Sequence, residues 1–339
     1  MTPGMNMEID IGLWAAVGFV FAAYAVVGND ALQTLGTFIN SNRRLPWWAL
    51  FLFAATVLVV VFTYGYITNE GDPSFGRLNN TDKYPVIIDP QWYYALPPLV
   101  LLVLTRFGIP VSTTFMVLTI FATMGGLYSM LIKSLIGYLV AFVAGGLIYA
   151  ALAPTLERWF LKTADQQHAP LWVLMQWITT GYLWSVWLMQ DFANIYIYLP
   201  RGDTASGVAR LNPLEAAISV GILVLLLGYT FWNRGGPVQR ILKTKTSVSD
   251  IRSATIIDFT YATLLFYFKE MNNIPMSTTW VFLGLIAGRE FAIATIDKVR
   301  APGDTAKIVG MDAAKALFGL VISVIMAIGL PLAAQALGG

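Results

Sequence analysis

Several uninterrupted apolar runs, each long enough to cross a bilayer, restrict this chain more than any other feature. Residues 47–67 and 214–232 form two of them, and a membrane-spanning helix needs about 20 such residues. Inside lipid the backbone must satisfy its own N–H and C=O groups, which an α-helix does within one segment. The sequence therefore predicts an all-α polytopic membrane protein, held in the lipid bilayer along most of its 339 residues.

The composition argues against several other classes of protein. Only 12% of the residues are charged and none is cysteine, so disulfides, thiolate ligands and iron–sulfur clusters are excluded. His168 is the only histidine, which argues against haem bundles, histidine metal sites and Ser–His catalysis. There is no basic block of the kind that binds nucleic acid. We therefore expect no cofactor, no nucleic-acid partner and no enzymatic activity.

The order of the segments repeats once along the chain. Residues 1–165 are expected to contain helices at about 11–41, 47–67 and 129–152, with a broken helical hairpin at 92–124. Residues 166–339 repeat the order, with helices at about 171–198, 214–232 and 312–333 and a hairpin at 254–287. If each hairpin is re-entrant, each half crosses the membrane three times; if the hairpins span, it crosses five times. Either odd number predicts two inverted-topology repeats with a site near the midplane.

The distribution of basic residues orients the predicted helices. Lys and Arg are concentrated after residues 41, 152 and 232 and before residue 312. The positive-inside rule places these turns in the cytoplasm. Both termini are then expected outside. The apolar run at 11–28 is expected to stay as a helix, because no basic segment precedes it as in a signal peptide.

A proline followed by a Ser-Thr-Thr cluster interrupts each hairpin. The two copies read FGIPVSTTF (107–115) and NNIPMSTTW (272–280). Proline ends one helix, and serine is a good N-cap for the next. Two helix N-termini that face each other inside the membrane would attract an anion. We therefore expect an anion site built from Ser112, Thr113, Thr114, Ser277, Thr278 and Thr279.

An aspartate with flanking amides occurs once in each half, near the end of the first long helix. NDALQ (29–33) and QDFAN (190–194) align without a gap. Residues three apart share one face of a helix, so each Asp lies beside an amide. A carboxylate inside a membrane is costly and usually marks an ion or proton pathway. We expect cation or proton coupling, with Na⁺ held by Asp30 and Asp191, at a site of Asn29, Asp30, Gln33, Gln190, Asp191 and Asn194.

Paired anion-attracting and cation-attracting groups are the equipment of a cation-coupled anion symporter, and the four motifs resemble a known family. VGNDALQTLGT (27–37) and MQDFAN (189–194) resemble the GANDVAN-type motifs of the inorganic phosphate transporter (PiT) family. PVSTTF (110–115) and PMSTTW (275–280) resemble its PVSTTH-type hairpin motifs. All four occur in family order over nearly the whole chain, with Phe115 and Trp280 in place of the family's histidines.

The resemblance implies a homodimeric symporter that takes up phosphate with Na⁺ or H⁺ by alternating access around a midplane site. It also implies a multi-pass location in the plasma membrane, the inner membrane of a bacterium or archaeon. Sulfate is the competing substrate, because sulfate permeases share this scaffold. An uncoupled channel or a structural subunit derived from the scaffold is a further alternative.

Two other charged residues within or beside apolar runs remain open at this stage. Arg106 precedes the first proline cluster and either contacts the anion or pairs with an acid or water. Asp258 falls inside an apolar run. It is either a proton site or a member of an ion pair between packed helices.

Overall fold

The computed structural model describes residues 11–87, 89–107, 109, 111–166, 168–200, 210–233, 250–272, 276–296 and 301–337. Throughout these ranges the secondary structure is helical and contains no β-strand. This confirms the predicted all-α class. Gly108, Pro110 and Pro275, where the first arm of each hairpin is expected to stop, lie outside the described residues.

Four long or medium helices and one short helix form the first half of the chain. They are α1 (Leu13–Ser41), α2 (Trp47–Thr68), α3 (Leu96–Arg106), α4 (Met124–Leu152) and the short α5 (Arg158–Lys162). The described residues of the second half form five helices: α6 (Pro170–Tyr196), α7 (Pro213–Trp232), α8 (Ile251–Phe266), α9 (Thr278–Ile296) and α10 (Pro302–Ala336).

The start of α7 shows how local sequence sets a helix boundary. The Asn212 side chain accepts hydrogen bonds from the backbone N–H groups of Leu214 and Glu215, both at 2.9 Å. The Glu215 carboxylate accepts one from the Asn212 N–H, also at 2.9 Å. This reciprocal capping box satisfies N–H groups that have no partner inside the helix. Pro213 occupies the first turn, where its missing N–H costs nothing.

Among the described residues, six helical stretches are long and apolar enough to cross a membrane, as expected for a multi-pass protein. They are Leu13–Asp30, Trp47–Thr68, Met124–Phe160, Pro213–Trp232, Thr278–Ile296 and Gly303–Ala336. α6 was expected to span but is not among the six. Its 27 residues, at 1.5 Å each, make a helix about 40 Å long, which is enough to cross a bilayer. Its polar residues, and not its length, therefore exclude it from the six. Most of its C-terminal half is buried in the protein.

The two broken segments differ from each other. In the first half a π-helical turn at Thr114–Leu118 and a 3-10 turn at Thr119–Phe121 replace the helix expected to reach residue 124. In the second half the corresponding arm is the regular helix α9, which continues to Ile296 beyond the expected end at 287. By length and composition α9 can cross a membrane, whereas the arm at 114–121 is too short to do so.

α9 packs along α4 with unusually close backbones. Gly284 and Gly288 lie one turn apart on α9. A Cβ atom at Gly284 would fall on the carbonyl oxygen of Tyr138, and one at Gly288 on that of Phe142. Small residues four apart let helices approach in this way inside membranes. The contact with α4 leaves no room for a side chain at Gly284 or Gly288, and it holds the start of α9 deep in the bundle.

Replacing Gly288 by alanine should lower stability, although alanine is the better helix former. The added methyl group meets backbone, which cannot rotate away, so we expect a loss of about 1–3 kcal/mol. Thermal unfolding of the detergent-solubilised protein measures it. Gly221→Ala in α7 is the matched control, because a Cβ there meets nothing within 4 Å. An equal melting temperature for the two variants would contradict the close packing.

Candidate functional site

The two Ser-Thr-Thr clusters begin their helical segments in the same way and touch each other. Ser112 Oγ accepts a hydrogen bond from the backbone N–H of Phe115 at 3.3 Å. Ser277 Oγ accepts one from the N–H of Trp280 at 3.4 Å. Both are the N-cap contacts that the sequence predicts. Ser277 Oγ also donates to Ser112 Oγ at 2.7 Å, so the two caps meet directly.

Asp30 is fully buried, and both of its oxygens accept hydrogen bonds. Oδ1 accepts from Asn29 Nδ2 at 2.5 Å and from Gln33 Nε2 at 3.4 Å. Oδ2 accepts from the hydroxyl of Thr113. Asn29 also donates to the carbonyl oxygen of Val111, at 3.2 Å. The carboxylate of α1 is thus tied to the first Ser-Thr-Thr cluster.

Asp191 has the same kind of surroundings in the second half. Its Oδ1 accepts from Asn194 Nδ2 at 2.6 Å, and its Oδ2 accepts from the hydroxyl of Thr278 at 3.0 Å. The carboxylate of α6 is thus tied to the second Ser-Thr-Thr cluster. Gln190 is the exception to the correspondence, because its Nε2 donates at 3.4 Å to the carbonyl oxygen of Leu265.

Two further contacts join the halves crosswise. Asn194 Nδ2 lies 3.2 Å from the hydroxyl of Thr113 and 3.3 Å from that of Thr114. Gln33 Nε2 lies 3.5 Å from the hydroxyl of Thr279. The amide of each half therefore contacts the last threonine of the other. Every residue of the predicted anion and cation sets lies in this region, and none is more than 9% exposed.

Three amide oxygens in this region point at no hydrogen-bond donor. They are Gln33 Oε1, Gln190 Oε1 and Asn194 Oδ1, and all three are enclosed by protein. Carboxylate and amide oxygens are the ligands that hard cations such as Na⁺ and Ca²⁺ take. No group of three or more His, Cys, Asp or Glu that could hold a metal ion occurs in the described part of the chain. The donors gathered here are oxygens, the ligand type of a hard cation.

Arg77 is a member of the site that the sequence reasoning missed. It comes from the loop between α2 and α3 and is only 8% exposed. Its Nη1 donates to the carbonyl oxygen of Gln190 and lies 3.9 Å from Asp191 Oδ1. A lone arginine in a loop rich in Gly, Pro and Asn has no local signal of burial. Only the tertiary fold brings it to α6.

The same loop carries a second cation, Lys83, outside the membrane-spanning helices. Burial, together with the smaller effect of the positive charges of Arg77 and Lys133, lowers the pKa of its ammonium group from 10.5 to about 8. Both causes disfavour the charged form.

The two residues left open by the sequence are now placed. Arg106 is exposed at the end of α3, so it does not line the site. Asp258 is buried in α8 and accepts hydrogen bonds from the hydroxyls of Thr37 at 2.9 Å and Thr180 at 2.8 Å. Within the described ranges, two hydroxyls and no basic side chain face it. The alternative of an ion pair between helices is therefore not supported.

The aromatic residues at the ends of the clusters lie in the apolar core. Phe115 is fully buried and Trp280 is 6% exposed. The Trp280 ring packs edge-on against Tyr138 with ring centroids 5.9 Å apart. Neither side chain adds a titratable group to the site.

Comparison of the chain with protein-family models, with curated proteins and with solved structures finds no match. The case for a function therefore depends on the geometry above.

Removing the hydroxyl groups of Ser112 and Ser277 should show that these two caps are hydrogen-bonded to each other. We expect Ser112→Ala and Ser277→Ala each to lower stability by about 1 kcal/mol, through the lost cap and the lost hydroxyl contact. The double variant should lose less than the sum, because the Ser–Ser bond is removed only once. Thermal unfolding in detergent measures this cycle. Thr295→Ala, at an exposed position, is the control. Strict additivity would show that the serines do not touch.

Lys83→Met should stabilise the protein at about pH 7 and lose this advantage near pH 10.5. Because the folded-state pKa lies below the unfolded one, charging Lys83 costs stability in full below about pH 8. That cost fades as the pH rises toward the unfolded value. Melting temperatures of wild type and variant across this range are the measurement. A pH-independent difference would contradict the shift.

Proposed function

We propose that this protein is a secondary active symporter for an inorganic oxyanion, with phosphate as the leading substrate, coupled to Na⁺ or H⁺. The observation that carries the proposal is the single buried network that joins both carboxylates to both Ser-Thr-Thr clusters. Polar groups at this density are costly inside a membrane protein and are kept where ions pass.

The hydroxyl groups supply the anion side of the proposed site. The clusters place Ser112 and Ser277 in direct contact, with four threonines around them. Hydroxyl donors suit an oxyanion, whose oxygens only need to accept. Entry of the anion would exchange the Ser–Ser bond for bonds to the anion's oxygens. This exchange costs little free energy, because a hydrogen bond contributes only about 1 kcal/mol net to stability.

The carboxylates and free amide oxygens supply the cation side. A cation bound to Asp30 or Asp191 would neutralise a charge that otherwise repels the anion nearby. Binding of each ion then favours binding of the other, which is the thermodynamic requirement for coupling. Protonation of a carboxylate would serve the same purpose if the coupling ion is H⁺.

Helix packing supports an arrangement of two inverted repeats around this site. α1 contacts α6 and α2 contacts α7, while α1 also contacts α7 and α2 also contacts α6. α4 packs on the second hairpin arm, α9, and α10 packs on the first, at 114–121. Two inverted repeats would relate these pairs by a pseudo-two-fold axis near the Ser112–Ser277 contact. Alternating access would then move one repeat against the other.

The resemblance to the PiT family supports phosphate, because the four motifs that carry it are those whose side chains meet here. Sulfate is the runner-up. Monobasic phosphate can donate a proton to a carboxylate, whereas sulfate at neutral pH only accepts. The apolar residues Phe115 and Trp280 leave the anion with hydroxyl and amide donors.

Uptake by proteoliposomes tests the proposal. We expect accumulation of radiolabelled phosphate that requires an inward Na⁺ or H⁺ gradient. Excess sulfate that fails to compete would favour phosphate, and full competition would move the assignment to sulfate. Flux that ignores both gradients would instead indicate a channel, and no flux of either anion under any gradient would refute the proposal.

Asp30→Asn should weaken the cation dependence of uptake by at least about tenfold, equivalent to 1.4 kcal/mol. The amide keeps the shape of the side chain but removes the charge that attracts the cation. Uptake as a function of Na⁺ concentration and of pH measures the effect. Asp165→Asn, at an exposed position, is the matched control. Wild-type cation dependence in Asp30→Asn would exclude this carboxylate from coupling.

A further inference from the structure

The side chain of Arg77 occupies a place made of cation ligands. Its Nη1 lies between the backbone carbonyl oxygen of Gln190, to which it donates, and Asp191 Oδ1. A carbonyl oxygen and a carboxylate oxygen are the groups that a hard cation takes. The positive charge of the guanidinium therefore lies where these two oxygens would otherwise bind a free cation.

The contact of Arg77 with Asp191 is one of charge and not of hydrogen bonding. The separation of 3.9 Å exceeds the 2.7–2.9 Å of a charged N–H···O bond. Arginines that fasten a structural pair usually bind a carboxylate through two nitrogens. Here only Nη1 approaches, and Nε is enclosed without a partner. The guanidinium thus balances the charge of Asp191 without hydrogen-bonding to the oxygens of its carboxylate.

The two carboxylates have similar hydrogen-bond partners but different charges beside them. Asp30 and Asp191 each accept from a threonine hydroxyl and from an amide three residues ahead. As far as the chain is described, only Asp191 also has a basic side chain within 4.0 Å. Two sites with corresponding threonine and amide donors are therefore unequal in charge.

The loop that carries Arg77 is folded tightly against the bundle. Glu70 and Phe75 adopt left-handed backbone conformations, with φ of 52° and 54°, which are strained for residues other than glycine. Asp72 accepts from the N–H and hydroxyl of Ser74, each at 2.8 Å. Arg210 bonds Glu70 at 3.0 Å. These contacts hold the loop in place, and the loop in turn positions the charge of Arg77 beside Asp191.

We propose that Arg77 is a tethered cation that fills the cation position beside Asp191, so that Asp30 alone takes up a mobile coupling cation. This inference rests on the proposed symport. It specifies that one free cation, and not two, enters per chain. Without Arg77, the carboxylate of Asp191 and the carbonyl oxygen of Gln190 become oxygen ligands for a second cation.

Direct cation binding tests the inference without any transport assay. Purified full-length protein in detergent is titrated with radioactive Na⁺ in the absence of anion. We expect one Na⁺ per chain for wild type and two for Arg77→Gln. Phosphate uptake by the variant should correspondingly become steeper in Na⁺ concentration. Arg210→Gln is the matched control, because it loosens the same loop and leaves the charge beside Asp191 in place.

Each outcome separates the two proposals. One Na⁺ in both wild type and Arg77→Gln, or two in both, overturns the role of Arg77 and leaves Na⁺ coupling standing. No Na⁺ in either protein overturns the tethered-cation role and leaves H⁺ as the coupling ion of the proposed symport. Unchanged Na⁺ binding with weakened phosphate binding would reassign Arg77 to the anion, which also overturns the inference.

A second variant covers the case in which Arg77→Gln does not fold. Removing Arg77 leaves the buried charge of Asp191 uncompensated, which is destabilising. The double variant Arg77→Gln with Asp191→Asn removes both charges and should fold and bind one Na⁺, at Asp30. A count of two for this double variant would contradict the assignment of the second site to Asp191.

Discussion

The burial of two carboxylates in one hydrogen-bonded network is the constraint on which the rest of this structure depends. A charged side chain at the centre of a membrane costs about 3 kcal/mol even by the mildest measure. Each oxygen of Asp30 and Asp191 must therefore find donors within the protein. The donors are hydroxyls and amides from α1, α6 and the two Ser-Thr-Thr clusters. Segments far apart in sequence must come within hydrogen-bonding distance to supply them.

The helix packing follows from this requirement. α9 reaches the network because glycines at 284 and 288 let it lie against the backbone of α4. α6 can carry Gln, Asp and Asn because neighbouring helices bury its C-terminal half, so it need not be apolar enough to face lipid. The lipid-facing surface is left to helices such as α2, α4 and α10, which expose many large apolar side chains.

Much of the site was predictable because it is repeated. The i, i+3 spacing in NDALQ and QDFAN predicted that an amide lies beside each Asp, and the two proline clusters predicted serine caps. Arg77 was not predictable, because its partners lie more than 100 residues away and its loop resembles an ordinary surface turn. The unequal hairpin arms were missed as well. The apolar sequence at 111–124 permits a helix, and only tertiary packing makes it π-helical and 3-10 instead.

The contact between Ser112 and Ser277 has a mechanical consequence. A bond between two hydroxyls can be exchanged for water at a net cost of about 1 kcal/mol, whereas α4 and α9 meet through backbone atoms with no room to slide. When the bundle deforms, we expect the movement to occur between the two serine caps and not between α4 and α9. The molecule thus combines a close backbone contact between α4 and α9 with a weaker contact between the two caps, at the place where the polar groups are gathered.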